Sequence, residues 1–115
     1  MANTFKLVTK AGVTSADVIY TVAGSTTTVI LGLMLGNTTS GSSNATVTLG
    51  TDTANRAGAN NEANQDVELL TTTAIAGNTT LELLAGNRVV METTDTLSVT
   101  GSAALDVVLS VMEIT

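Results

Sequence analysis

The most apolar run of the chain, residues 26–37, predicts a β-strand around which the rest of the sequence is organised. Because successive side chains of a strand point to opposite faces, the run divides into two sets. These sets are Val29, Leu31, Leu33 and Leu35 on one face, and Ile30, Gly32, Met34 and Gly36 on the other. Neither set is polar, so we expect the core to cover one face and a neighbouring subunit to cover the other. The alternative is a strand buried by the chain's own long loops.

Further short runs of β-branched and aliphatic residues lie between clusters of Gly, Asn, Ser and Asp, and they predict additional strands. They are 4–9, 17–23, 44–49, 66–75, 79–84, 88–92, 96–100 and 105–114. A helix is the competing interpretation for 64–70 and 103–112, although neither segment holds a helical stripe. We therefore predict an all-β fold, an antiparallel β-sandwich or jelly roll of about eight strands.

The last predicted strand, 105–114, resembles the central one in having two mostly apolar faces. Short Gly- and Asn-containing turns separate most strands, and residues 76–78 predict a hairpin-type connection. Residues 50–65 show no period and predict a long loop, of the kind that is functional, mobile or pinned by a neighbour. The chain divides into residues 1–10, a strand or arm, and residues 11–115, a single β-sandwich domain.

Composition supports strands and argues against catalysis. The chain has no Pro, which is excluded from central strands, and no Cys or His, so the commonest general base and the thiolate metal ligands are missing. The remaining carboxylates, such as Glu92 and Asp95, flank turns, and Asp95 is expected to satisfy backbone amides where the next strand begins. Tyr20 is expected to be a core or rim ring whose hydroxyl reaches solvent. We predict no enzyme, no catalytic residues, no cofactor and no metal site.

The formal net charge of −6 argues against nucleic acid as a partner, since clustered cations are lacking. The N-terminal residues lack the pattern of a signal peptide, and the longest apolar run is too short to span a bilayer, so we expect synthesis in a cytoplasm and no membrane partner. Lys6 and Lys10 form the one basic pair outside a mixed context. They are interpreted either as part of a docking arm or as solvated lysines that protect an edge strand.

The order of segments resembles small virion structural proteins of tailed bacteriophages. The likeness lies in residues 17–33, in residues 76–97 and in the ending 106–115, which carry turn-and-strand phrases such as Tyr-Thr-Val-Ala-Gly-Ser-Thr-Thr. It covers nearly the whole chain, although Ala23 stands where the family-like phrase frequently has Pro. These motifs are structural phrases and not a catalytic signature.

The resemblance implies a non-enzymatic virion component, with a decoration or cement protein on the outer head surface as the preferred form. Its expected partners are further copies of itself, as a trimer, and the major capsid protein or another virion protein. A tail, neck or fibre-attachment component is the first alternative, and an Ig-like adhesion or ligand-binding module is the second. The candidate interface residues are Phe5, Lys6, Leu7 and Lys10 in the arm, with Ile30 and Met34 on the second face of the central strand.

Overall fold

The computed structural model describes residues 2–51, 65–84 and 87–115, and within them the chain forms nine β-strands and no helix. The predicted helix alternatives are therefore wrong for the described parts of 64–70 and 103–112. The strands are β1 (Asn3–Val13), β2 (Asp17–Thr21), β3 (Thr27–Asn37), β4 (Ser43–Thr51), β5 (Gln65–Ile75), β6 (Thr80–Glu82), β7 (Val89–Met91), β8 (Thr96–Gly101) and β9 (Leu105–Ile114).

The strands form two packed antiparallel sheets. Sheet I has the order β1-β9-β3-β6, with β7 also paired to β3, and sheet II has the order β2-β8-β4-β5. This arrangement confirms the predicted β-sandwich, and the strand order is that of a jelly roll. Most connections pass from one sheet to the other. The turn between β5 and β6 is one of them, so the predicted hairpin at 76–78 is wrong.

The predicted loop 50–65 is shorter than expected at its described ends. Gly50 and Thr51 belong to β4, where they pair with Asp66 and Gln65 of β5. The remaining residues of the predicted loop, 52–64, lie outside the described residues. β4 and β5 therefore continue their pairing to the boundary of the described region.

A β-bulge in β3 changes which side chains face the core. Ile30 lies opposite Val111 and Gly32 lies opposite Ser110, so Leu31 is an extra residue on β3. Strict alternation breaks at such a bulge because one strand holds two residues against one on its partner. The two predicted faces are consequently wrong in part, since Ile30 joins Leu33 and others in the interior. The residues of β3 on the inner face are Thr28, Ile30, Leu33, Leu35 and Asn37.

The core between the sheets is almost entirely aliphatic, as the composition predicts. Sixteen hydrophobic residues are buried in the described part of the chain, and they come from both sheets and from the connections between them. The larger fully buried side chains include Ile30, Leu33, Leu35, Met91, Leu97, Leu105 and Leu109. With so few aromatic rings, close packing of branched side chains has to exclude water.

Asn37, at the end of β3, holds together the turns at one end of the sandwich. Its amide nitrogen donates to the carbonyl oxygens of Gly41 at 2.8 Å and Ile75 at 2.9 Å. Its amide oxygen accepts from the backbone N–H of Thr39 at 2.9 Å and from the Thr39 hydroxyl at 2.7 Å. The side chain is 3% exposed, and four hydrogen bonds satisfy it, so burial of this amide does not leave polar groups unpaired.

We predict that Asn37→Ala lowers the free energy of unfolding by about 2–3 kcal/mol, because buried carbonyl and hydroxyl groups lose their partner. The measurement is the midpoint of a denaturant titration followed by circular dichroism. Asn44→Ala is the matched control, since Asn44 lies in β4 with an exposed side chain. Equal midpoints for the two variants would contradict the role assigned to Asn37.

Candidate interaction surface

The outer face of sheet I is apolar over most of its area. Paired residues on neighbouring strands share a face, so the register lists the side chains that lie beside one another. The first row across the sheet is Phe5, Met112, Val29 and Val90, the second is Leu7, Ser110 and Gly32, and the third is Thr9, Val108, Met34 and Glu82. We call the surface formed by Phe5, Leu7, Val29, Met34, Val90, Val108 and Met112 the apolar outer face.

Exposure confirms that this surface is open in the single chain. Phe5 is 71% exposed, Leu7 66% and Val90 54%, and Met34 is 38% exposed. Soluble monomers rarely present a contiguous patch of this kind, and such patches usually mark a contact with another molecule. The three rows hold a single charged residue, Glu82.

The outer face of sheet II has the opposite character. Its central strands pair Thr46 with Thr100 and Thr48 with Ser98, and Leu97 and Val99 between them point into the core. Hydroxyl groups on this face can hydrogen-bond water, as expected for an antiparallel sheet with one solvated side. The difference between the two outer faces selects sheet I as the candidate site.

A groove of about 180 Å³ opens on the apolar outer face beside the β3 bulge. It lies beside residues 31–33 of β3, between two regions of strand pairing. β6 pairs with Met34–Gly36 on one side of this segment, and β7 pairs with Thr28–Ile30 on the other. Its principal lining residues are Leu31, Gly32, Met34, Leu84, Val108 and Ser110. A Cβ atom added at Gly32 would meet no other atom within 4 Å, so the glycine leaves open space at this point.

A polar cluster ties β1 to the rest of the sandwich behind the apolar outer face. Lys6 Nζ lies 2.8 Å from Glu113 Oε1, and the Tyr20 hydroxyl donates to Glu113 Oε2 at 2.5 Å. The Tyr20 oxygen also lies 2.8 Å from the Thr28 hydroxyl. The cluster links β1, β9, β2 and β3, and it engages the Tyr20 hydroxyl that was expected to reach solvent.

The ionisation of the cluster follows from these contacts. Burial, together with the hydrogen bond to Glu113, raises the pKa of Tyr20 to about 12. Hydrogen bonds from Lys6 and Tyr20 hold the pKa of Glu113 below its ordinary value, because both stabilise the carboxylate form. At neutral pH the cluster therefore holds a charged carboxylate between an ammonium group and a neutral phenol.

The structure separates the six predicted interface residues into three groups. Phe5, Leu7 and Met34 lie together on the apolar outer face. Lys6 and Lys10 lie on the opposite side of β1, and Lys10 Nζ is 3.6 Å from Asp17 Oδ2. Ile30 is fully buried in the core. The prediction that Ile30 lies on an outer contact surface is wrong, because the bulge in β3 places its side chain in the core. The interface roles of the other five residues stay predictions.

Other polar residues have structural contacts. Asp95 is buried, and its carboxylate accepts from the backbone N–H of Glu92 at 2.9 Å, which confirms the predicted turn role. Across residues 2–51, 65–84 and 87–115 no group of three or more acidic side chains is placed to hold a metal ion. The same residues contain no helix with the length and hydropathy that a bilayer-crossing segment requires.

Two parts of the surface were not predicted from the sequence. Val90 of β7 extends the first row at the far side of β3, and the groove depends on the bulge and on Leu84. The pairing of β3 with β9 could have been inferred from the sequence. Both predicted strands are apolar on two faces, and neighbouring positions in one sheet allow the same layers to cover both strands. Sequence gave no comparable signal for the position of the bulge.

No family model matches the chain, and no curated protein matches it in sequence. Among solved structures, the fold is similar to a protein of Bacillus endospore appendages, which are described as a novel family of disulfide-linked pili. The TM-score is 0.50 at 15% sequence identity, and the match covers 97% of this chain and 84% of that chain. At this identity the likeness shows a shared fold.

We predict that the Tyr20 phenol titrates near pH 12, and that Glu113→Gln moves the titration to lower pH by removing the carboxylate. Tyr20 is the single Tyr in a chain without Trp, so ultraviolet absorbance reports this group alone. Asp17→Asn, which breaks the other ion pair of β1, is the control and should leave the titration in place.

The raised pKa of Tyr20 makes the free energy of unfolding depend on pH in the alkaline range. The folded-state pKa of Tyr20 is raised, so its contribution is fully present below the unfolded value near 10 and is lost as pH rises toward about 12. Denaturant midpoints measured across this range should fall in the native chain and change less in Tyr20→Phe. A phenol that titrates near 10 in the folded protein would contradict the cluster geometry.

Proposed function

We propose that this chain is a non-enzymatic structural subunit that assembles with further copies of itself through the apolar outer face of sheet I. The observation that carries the proposal is the difference between the two outer faces. Sheet II presents hydroxyl-rich pairs to water, whereas sheet I presents Phe5, Leu7 and Val90 with more than half of each side chain exposed. Burial of such a surface between subunits removes apolar area from water and stabilises the assembly.

Charge supports contact at this face. Two copies of a chain with net charge −6 repel each other at long range, so they approach most easily where charges are sparse. The apolar outer face has Glu82 at its margin, while Asp66 and Glu68 lie on β5 of the other sheet. Assembly through sheet I keeps Asp66 and Glu68 in solvent.

The fold likeness to a pilus protein supports a structural role without fixing the type of assembly. Those pili are described as disulfide-linked, and this chain contains no Cys. Contacts between copies of this chain are therefore noncovalent in our proposal, and side-chain packing takes the place of a covalent link. Reducing agents should leave the oligomer mass unchanged.

In its finer form, the proposal is a decoration or cement protein of a tailed-phage head, which assembles as a trimer and binds the major capsid protein on the outer surface. The sequence phrases described above support this form. A tail, neck or fibre component and a subunit of a surface appendage are the alternatives. Negative-stain electron microscopy distinguishes them, because a closed oligomer of fixed size favours a decoration protein and an open filament favours an appendage.

The proposal is tested first by light scattering during size exclusion across a dilution series. We predict an oligomer that Leu7→Lys weakens by roughly tenfold or more, since a charge placed in a buried apolar contact is costly. Val18→Lys is the matched control, because Val18 is 56% exposed and pairs with Ser98 in sheet II.

A monomer at every concentration would contradict self-assembly and would shift the interpretation to the adhesion or ligand-binding module. An equal effect of Leu7→Lys and Val18→Lys would show that association does not use sheet I in particular. Both variants change exposed side chains, so unfolding midpoints should remain close to that of the native chain.

A further inference from the structure

The groove beside the β3 bulge has the size and lining of a site for one aromatic side chain. Its volume is about 180 Å³, and Leu31, Met34, Leu84 and Val108 supply most of its apolar wall. An apolar protein cavity of about 150 Å³ is known to hold benzene, so the groove can hold a phenyl ring. Gly32 has open space at its Cβ position, which keeps the groove accessible from the outer face.

Phe5 supplies a matching ring on the same surface. It is the single Phe of the chain, it lies on β1 opposite Met112, and 71% of it is exposed. Tyr20, the other aromatic residue, is held by Glu113 and Thr28 behind the sheet. Phe5 is therefore the aromatic side chain that this protein offers to a partner.

The ring and the groove of one chain do not reach each other. Phe5 is on β1 and Gly32 is on β3, with β9 between them. Neighbouring strands are about 4.8 Å apart, which separates the two sites by about 10 Å across the sheet. Phe5 is not among the residues that line the groove and most of its surface is exposed, so the groove of one chain is open to a ring from a second molecule.

We infer that Phe5 of one copy inserts into the groove at Gly32 of a second copy of this chain. The inference rests on the proposed self-assembly and adds its central contact. Because ring and groove lie at different positions on one apolar face, a pair of copies related by a two-fold axis makes the contact twice. Three copies whose apolar faces surround a three-fold axis make it three times, since the β1 side of one face meets the β3 side of the next.

Aromatic residues seated in apolar pockets often dominate such contacts, because neighbouring side chains exclude water around them. Leu7 and Met112 adjoin Phe5, and Ser110 and Val108 adjoin the groove. Glu82 is the one carboxylate among the residues that line the groove, and it is exposed, so its charge can remain in water when a ring contacts the apolar wall.

The test uses two variants that disable opposite halves of the contact. Phe5→Ala removes the ring, and Gly32→Leu fills the groove, where a new side chain has open space. We expect each variant alone to associate at least roughly tenfold more weakly than the native chain. Val18→Ala, an exposed apolar truncation on sheet II, is the control and should associate normally.

Mixing the two variants provides the decisive readout. A Phe5→Ala chain keeps an open groove and a Gly32→Leu chain keeps its ring, so a mixed complex regains one native contact. We expect fluorescence energy transfer between separately labelled variants to report mixed complexes at concentrations where each variant alone is monomeric. Ser110→Leu is a second groove-filling variant, to be used if Gly32→Leu has a lower unfolding midpoint than the native chain.

The outcomes separate the inference from the proposed function. If the native chain associates but Phe5→Ala associates equally well, or if mixing restores nothing, the ring-in-groove contact is wrong and self-assembly stands. If the native chain is monomeric at every concentration, both are wrong. Weakening by each variant with recovery in the mixture supports the contact between copies.

Discussion

Sheet I is apolar on both of its faces, and the proposed assembly depends on this constraint. The inner face meets sheet II through residues such as Leu33, Leu109 and Val111, which are almost completely buried. The outer face has no second layer among the described residues of this chain. Antiparallel sheets commonly have one solvated, polar face, and the central strands of sheet II follow this pattern while sheet I does not.

Much of the fold follows from patterns that a single sequence carries. The positions of β8 and β9 are set by alternation between turn residues, and the prediction places them within a residue of the observed bounds. Absence of Pro and abundance of Thr favour strands everywhere, so the all-β class does not depend on any one segment. Assignment of strands to sheets is harder, because short turns such as 76–78 serve equally for a hairpin and for a crossing between sheets.

The sequence allowed the apolar surface of sheet I to be predicted, but not the bulge that determines the shape of the groove. The two apolar faces of β3 and β9 predict that both faces of sheet I are covered. Phe5 and Leu7 lie on the same side of β1 because side chains alternate along a strand. The extra residue Leu31 decides which neighbours share a face, and it moves Ile30 into the core. Packing between layers selects such a bulge, so local propensity does not locate it.

The edges of the sandwich explain why a face, and not a strand edge, is the more suitable contact. β1 and β5 are the long outer strands of the described sheets, and each carries charges along its length: Lys6 and Lys10 on β1, and Asp66 and Glu68 on β5.

Both strands also have irregular register, near Gly12 in β1 and near Thr72 in β5, and both of these residues have positive φ. Charges and irregularities of this kind hinder pairing with a strand of another molecule. With β1 and β5 protected in this way, the apolar outer face of sheet I is the extended apolar surface among the described residues. Packing of side chains across that surface depends on shape as well as area, which makes a ring and a groove more selective than two flat apolar sheets.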